Sequence, residues 1–445
     1  MADGKGNTNP RVLAMRSLLS TERDGKYANL EVSSILDRSR MNDADRGLYT
    51  ALVYGVIERT VTLDEIISQY AKRPLPSLDA EVRIALRLGL YQLLYMDKIP
   101  PHAAVSESVE LVGGPARGFV NATLRAFLRA GMRFDLPPED DLPRHLAVKY
   151  SSPEGLCALW LDQYGRETAE QILASSVGHG HVSVRVNTLR TSPERLAEAL
   201  RAAGETAEVS PLVGDMLRLS SAKAAVSDFS ADCFVEDEAS RLAVRLLGAL
   251  PGELVVDTCA APGGKSFSLA LDMGNEGRVC AFDLHANKLS LVRRGAERLG
   301  ISIIETEPRD ARVPREDLVG KADRVLCDAP CSGFGVIAKK PDVKYRPIGA
   351  AMALPAVQLD VLRGAAAYVR PGGRLVYSTC TLNRAENEDV VRAFLAERDD
   401  FALAVPNIKL DNCRITDGAM VTFLPHETGT DGFFAALLER RRDAE

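Results

Sequence analysis

The sequence predicts a multidomain chain: an all-α domain over residues 1–135, a small α+β segment over 144–230, and a doubly wound α/β domain over 231–445. Three observations carry that expectation. Apolar residues recur at helical spacing through the first part, with no strand-like run among them. The stretch Leu136-Pro137-Pro138-Glu139-Asp140-Asp141-Leu142-Pro143 then breaks the pattern, as a linker would. Beyond Phe234, short apolar runs alternate with helical stretches, which argues for a parallel sheet with helices on both faces.

In the first part, Asp43 and Asp45 stand where a helix could be capped, and Leu48, Leu52, Val53 and Val56 follow at helical spacing. A second helix is predicted from Leu78 to Tyr95, stopped by Ile99-Pro100-Pro101. A third should begin after Gly118 and turn Val120, Leu124, Phe127 and Leu128 to a core. The middle part offers a helix over Glu154–Ala174, an alternating run over Val182–Asn187, a helix near Pro193–Ala203, and strand-like pieces near Glu208 and Met216. In the last part Leu254–Val256, Val279–Phe282, Ile303–Ile304, Val325–Cys327 and Leu375–Tyr377 read as strands. Phe433–Leu438, after the turn Asp431-Gly432, reads as an antiparallel edge strand.

The bulk composition narrows the function classes. At 445 residues the chain suits about three domains. Apolar residues at 46% and charged residues at 26% describe an ordinary globular protein. No apolar run reaches the roughly 18 residues that a membrane span needs. The stretch Met1–Pro10 is polar and holds no apolar signal core, so a cytoplasmic location is expected. The eight cysteines are scattered, which does not suggest a disulfide framework. No CxxC pair occurs and the histidines lie far from the cysteines, so no metal is expected. A net charge of −6 means that any nucleic acid must be held by a local patch rather than by bulk charge.

The chemistry concentrates in three stretches. Asp257 ends the first strand of the last part, and Cys259-Ala260-Ala261-Pro262-Gly263-Gly264-Lys265 follows as a glycine-containing turn beside a strand end. Asp283, about 20 residues on, has the spacing of an acid that holds a ribose diol. Asp310, after the next strand, could accept from an adenine amino group. The loop would be a phosphate-binding P-loop if position 259 were glycine, and Val325-Leu326-Cys327-Asp328 imitates the magnesium-binding strand of such ATPases. Cys259 argues against that reading. Gly-x-Gly-x-x-Gly is absent, which argues against a dehydrogenase.

The other two stretches hold cysteines. Cys157, Cys233, Cys280, Cys327 and Cys413 read as small apolar residues of the core. Cys331, in Asp328-Ala329-Pro330-Cys331-Ser332-Gly333, and Cys380, in Tyr377-Ser378-Thr379-Cys380-Thr381, differ. Both follow apolar strands at the ligand-binding edge, in loops of small residues where a reactive thiolate could be exposed.

Together these stretches resemble the S-adenosylmethionine-dependent RNA cytosine-C5 methyltransferases. Arg185-Val186-Asn187-Thr188-Leu189-Arg190, Glu236-Asp237-Glu238-Ala239-Ser240 and Asp431-Gly432-Phe433-Phe434 are similar to further motifs of that family. Ile99-Pro100-Pro101-His102-Ala103-Ala104-Val105-Ser106-Glu107 resembles the NusB-like RNA-binding domain of its RsmB (Sun/Fmu) branch, which modifies bacterial small-subunit ribosomal RNA. The chain departs at Ser266, where the family often has threonine, and at Phe334, where small residues are common.

The resemblance implies a NusB-like first domain, an RRM-like middle segment and a Rossmann-like catalytic domain. It implies S-adenosylmethionine held by Cys259, Ala260, Ala261, Pro262, Gly263, Gly264, Lys265, Asp283, Asp310 and Asp328. Cys380 would add to C6 of the cytosine, Asp328 would hold N3 as a hydrogen-bond donor or proton source, and Cys331 would assist proton removal and release. DNA cytosine methyltransferases use the Pro-Cys cysteine as nucleophile, so the exchanged roles stay open. Ribosomal RNA is the implied partner, through an unpaired or flipped cytidine, and a monomer is expected. Lys265 either contacts the nucleotide or is a solvated helix-start lysine. Lys339, Lys340, Asp342 and Lys344 resemble an RNA-facing segment. Arg117, Arg125, Arg129 and Arg133 would form a drifting stripe on one helix, either for RNA or simply solvated. Another RNA such as tRNA, a P-loop-like ATPase, and a non-catalytic ribosome assembly factor are the alternative functions.

Overall fold

The computed structural model describes residues 8–24, 27–178 and 180–442. Most of the polar N-terminal stretch read above lies outside them. The chain forms two compact units, divided at Val177 and Gly178, except that the late segment Lys339–Tyr345 belongs to the first.

The first unit is helical: α1 (Pro10–Asp24), α2 (Ala28–Arg38), α3 (Asp43–Tyr70), α4 (Ala80–Tyr95), α5 (Pro101–Glu110), α6 (Ala116–Arg129), α7 (Leu142–Lys149) and α8 (Glu154–Ser175). The cap of α3 is Asn42, one residue before the predicted aspartates, and its side chain accepts from the Asp45 amide at 2.9 Å. Leu52, Val53 and Val56 of α3, Leu86 and Leu90 of α4, and Val120, Leu124 and Phe127 of α6 meet in one core. The helical period and the burial therefore agree. α6 ends at Arg129, so Arg133 lies beyond it and the four-arginine stripe is not on one helix. Arg117 is paired with Glu110 at 2.7 Å. α8 breaks at Gly165, whose φ of 73° only glycine takes readily.

Lys344 corrects a reading made from its neighbours. Its side chain is buried at 2% exposure within the first unit. Its Nζ donates to the carbonyls of Glu58 at 2.6 Å and Ser151 at 2.5 Å. Burial pulls its amine down to about 7. Lys344 thus faces inward, while Lys339 and Lys340 are exposed.

The second unit opens with a four-stranded antiparallel sheet, in the order β2-β3-β1-β4. Its strands are β1 (Val182–Val186), β2 (Ala207–Val209), β3 (Met216–Leu219) and β4 (Cys233–Val235). The helix Pro193–Ala202 places Leu196, Ala197 and Leu200 on its core. The Arg185 and Asn187 motif is structural here. Arg185 is 2% exposed and lies 3.2 Å from Asp215 and 3.5 Å from Asp272. Asn187 donates to the carbonyls of Ala231 and Leu299.

The large sheet contains β5 (Leu254–Asp257), β6 (Arg278–Asp283), β7 (Ile304–Pro308), β8 (Ala322–Asp328), β9 (Val369–Thr379), β10 (Phe401–Leu403), β11 (Arg414–Thr416), β12 (Met420–Phe423) and β13 (Phe433–Arg440). Its order is β11-β12-β13-β9-β8-β5-β6-β7, with β10 also on β13. The five strands β5 to β9 run parallel. Val255 faces one core and Val256 the other, so both faces are covered as in a Rossmann-like domain. β13 is antiparallel to β9, as expected, but it is interior rather than an edge. The reason is its second partner, β12, and both of its faces are covered. Phe433, Ala435 and Leu437 pack on one face while Phe434, Ala436 and Leu438 pack on the other.

Candidate active site

Parallel strands deliver their carboxyl ends to one edge of the sheet, and ligands bind there. The turn after β5 is held from two sides. Asp257 is fully buried and accepts from the Ser266 hydroxyl at 2.6 Å; burial raises its carboxyl to about 7. Ser266, the departure from threonine, keeps the one hydroxyl this contact needs. On the other side, the Ala260 amide donates to the Phe282 carbonyl at 2.7 Å and the Ala261 amide to Asp283 Oδ2 at 3.2 Å. Gly263 sits at φ 119°, outside the range of ordinary side chains, and a Cβ on Gly264 would meet open space.

Asp283 ends β6, and its second oxygen accepts from the His285 amide at 2.9 Å. Its pairing with Pro308 brings the end of β7 alongside. Asp310 is there, but Arg312 spans its carboxylate at 2.9 and 2.6 Å, holding it well below the usual carboxylate range. A ligand amine at Asp310 would share those oxygens with the guanidinium. Cys259, Ala260, Ala261, Pro262, Gly263, Gly264, Asp283 and Asp310 thus lie along one edge of the sheet.

β8 and β9 are neighbours with Asp328 opposite Ser378, which carries the two cysteine loops to the same place. Cys331 Sγ and Cys380 Sγ are 3.3 Å apart, within hydrogen-bond reach for sulfur. The Cys380 neighbour and burial push the Cys331 thiol well above its ordinary value. Either sulfur can donate in this contact. Of the five cysteines read as core residues, Cys157, Cys233, Cys280 and Cys327 are buried, while Cys413 is only half-buried against the core, as is Cys259 in the turn after β5.

Asp328 sits beside the pair. Lys265 Nζ lies 2.8 Å from its Oδ2, and the Ser378 hydroxyl donates to its Oδ1 at 2.8 Å. Both oxygens of Asp328 are thus engaged, one by the Lys265 amine and one by a hydroxyl. Lys265 is 17% exposed and also lies 5.2 Å from the Phe433 ring. It is not a solvated lysine.

Residues with no assigned role in the sequence reading hold the cysteine loops in register. The Gly335 amide donates to the Cys380 carbonyl at 3.0 Å, and the Gly432 amide to the Gly335 carbonyl at 2.8 Å. The Ser332 and Thr381 hydroxyls meet at 2.8 Å. Thr379 donates to Asn387 at 2.5 Å, and Asn387 donates back to the Thr381 carbonyl at 3.0 Å. The Gly335, Gly432 and Ser332 contacts join loops far apart in the chain, whereas those of Asn387 lie within the stretch that follows β9. No group of three or more His, Cys, Asp or Glu residues placed to hold a metal occurs among the described residues. No helix among them is long and apolar enough to cross a membrane.

A family model described as 16S rRNA methyltransferase RsmB/F matches residues 244–439. A NusB family model matches residues 8–129, and an RsmF/B-like ferredoxin-like domain matches 152–226. A probable ribosomal RNA small subunit methyltransferase B of Bacillus subtilis is 38% identical, covering 98% of this chain and 99% of its own. A ribosomal RNA small subunit methyltransferase B of Pseudomonas syringae is 34% identical over 87% of each chain. The crystal structure of PH0851 superimposes with a TM-score of 0.79 at 27% identity, covering 98% of this chain and 100% of that one.

Proposed function

This chain belongs to the RsmB/F family of 16S rRNA methyltransferases, and from that premise we propose that it methylates C5 of a cytidine through a covalent adduct on Cys380. Its cofactor is S-adenosylmethionine, and the residues at the sheet edge suit that group. The carboxylate of Asp283 matches a ribose diol, and the open side of Gly264 leaves room beside the turn. When bound, the cofactor supplies its methyl group as an electrophile.

The observation that carries the reading is the 3.3 Å contact between Cys331 and Cys380. Cytosine C5 is a poor nucleophile until something soft adds at C6, and a thiolate does this well. A second sulfur at the same position suits the later loss of the C5 proton. Cys380 is the nucleophile in this reading, as the cysteine of the Thr-Cys motif. Cys331, whose thiol is pushed up by the Cys380 neighbour and by burial, is a strong base once bared. Asp328, once it has taken up a proton, donates to N3 and stabilises the charge that builds there, with the Lys265 amine beside it. The target cytidine is unpaired or flipped from its helix, because C6 is otherwise out of reach. The enzyme works as a cytoplasmic monomer on ribosomal RNA.

The test separates the two sulfurs. Cys380→Ala should abolish methylation and give no covalent complex with ribosomal RNA. Cys331→Ala should form the adduct and methylate it, then fail to release it. The product would run on a denaturing gel as a conjugate removed by protease and not by reductant. A conjugate that persists in Cys380→Ala and vanishes in Cys331→Ala would assign the roles the other way round.

A further inference from the structure

The cysteine pair is held by a carboxylate that lies outside every motif described above. Glu386 is fully buried. Its Oε2 accepts from the Ser332 amide at 2.8 Å and from Gln358 Nε2 at 2.9 Å, and its Oε1 accepts from Asn383 Nδ2 at 3.0 Å. Gln358 Nε2 also donates to the Pro330 carbonyl at 2.9 Å. The loop is therefore held on both sides of Cys331, at Pro330 and at Ser332. Asn383 lies three residues beyond Cys380, and the Glu386 carbonyl accepts from Tyr377 at 2.6 Å, three residues before it. One residue thus spans both loops. All of the donors to its carboxylate are neutral, so its negative charge is not cancelled by a cation in contact.

We propose that Glu386 is the positioning residue for the cysteine pair: it clamps the Cys331 loop to the Cys380 loop, and its charge makes Cys331 the base of the two. The inference rests on the cysteine roles proposed above. In the closing step Cys331, which has by then given its own proton to solvent, takes the C5 proton on Sγ as the C5–H bond breaks. The C5=C6 bond re-forms, and the C6–S electron pair returns to Cys380. A neighbouring anion favours the protonated form of Cys331 and so drives that transfer. The other charged or titratable groups around Cys331 are Cys380, Asp328 and Tyr377, with Lys265 behind Asp328 and Arg346 on the Ser332 carbonyl. Glu386 reinforces the effect of Asp328, whereas Lys265 and Arg346 oppose it.

The test reads the Cys331 thiol directly, on the full chain without RNA. Alkylation by iodoacetamide is followed on the Cys331 peptide by mass spectrometry as a function of pH. Glu386→Gln should lower the midpoint of the Cys331 profile by about one pH unit, which is about tenfold faster alkylation below the midpoint. Gln358→Met removes a neutral donor from the carboxylate, leaves the charge less compensated, and should raise the midpoint. Mere loosening of the loops would move both variants the same way, and that result would overturn the proposal. So would an unshifted profile in Glu386→Gln. If Glu386→Gln does not fold, as judged by circular dichroism, the direction of the Gln358→Met shift decides alone. In single-turnover assays with ribosomal RNA, Glu386→Gln should form adduct at a rate near that of the wild type and release it at least about tenfold more slowly. Because the alkylation profile needs no RNA, it holds or fails independently of which sulfur attacks the base.

Discussion

Gly335 offers the sharpest perturbation of the site, because it touches neither the cofactor loop nor the reacting sulfurs. A Cβ added there would lie 1.9 Å from the Gly432 carbonyl oxygen, 2.6 Å from its carbon and 2.9 Å from the Cys380 carbonyl oxygen. Ordinary contact begins at 3.4 Å, so the backbone must retreat by about 1.5 Å, and none of the three obstructing atoms belongs to a side chain that could swing away. The retreat breaks the hydrogen bonds from Gly335 to Cys380 and from Gly432 to Gly335. Two such bonds contribute about 1–3 kcal/mol together, which should lower the melting temperature of Gly335→Ala by several degrees. The larger effect is geometric. A shift of about 1 Å at reacting groups can cost about 100-fold in rate, and the 3.3 Å sulfur pair is attached to both loops that must part. Single-turnover methylation of ribosomal RNA should therefore fall about 100-fold, while S-adenosylmethionine affinity by calorimetry stays within about threefold of wild type. Gly349→Ala serves as the control, since its Cβ would meet nothing within 4 Å. Methylation by Gly335→Ala at the wild-type rate, with unchanged melting, would refute the coupling of the two loops.

Two further outcomes follow from the same geometry. Asp283→Ala should weaken S-adenosylmethionine binding by about 1.5–3 kcal/mol, as the loss of a charged hydrogen-bonded partner does, and titration calorimetry measures it; tight ATP–magnesium binding instead would revive the P-loop reading. Lys344 should impose a pH slope on stability: its folded amine titrates near 7 against an ordinary value of 10.5, so between those values the unfolded chain holds a proton that the folded chain lacks. Stability from this group therefore rises as pH climbs from 7 toward 10.5 and is flat below 7, and Lys344→Met should remove that rise in denaturant midpoints compared at pH 7 and 9.5.

The parts of the fold that were legible in the sequence are those whose signal is local. Helical spacing placed α3, α4 and α6, and short apolar runs placed the five parallel strands, because each element needs only its own residues to declare its buried faces. The turn after β5 and the two cysteine loops stood out for a chemical reason: few residue types tolerate φ near 119° or carry a thiol. What stayed hidden depends on pairing across the chain. The run Phe433–Leu438 looks the same whether it has one neighbour or two, and only the partner β12 makes it interior. Lys344 reads as a basic surface residue until two carbonyls nearly 200 or more positions away receive its amine. Glu386 is the clearest instance. It stands among Arg384, Glu388 and Asp389, a string of charges that reads as a solvated helix start. Its carboxylate turns inward because Ser332, 54 positions earlier, and Gln358, 28 positions earlier, point neutral donors at one place. A buried anion among neutral donors costs stability that a hydrophobic residue would not. Its presence beside two thiols therefore makes sense as chemistry rather than as packing, and that cost is the physical reason to look for its effect in the titration of Cys331.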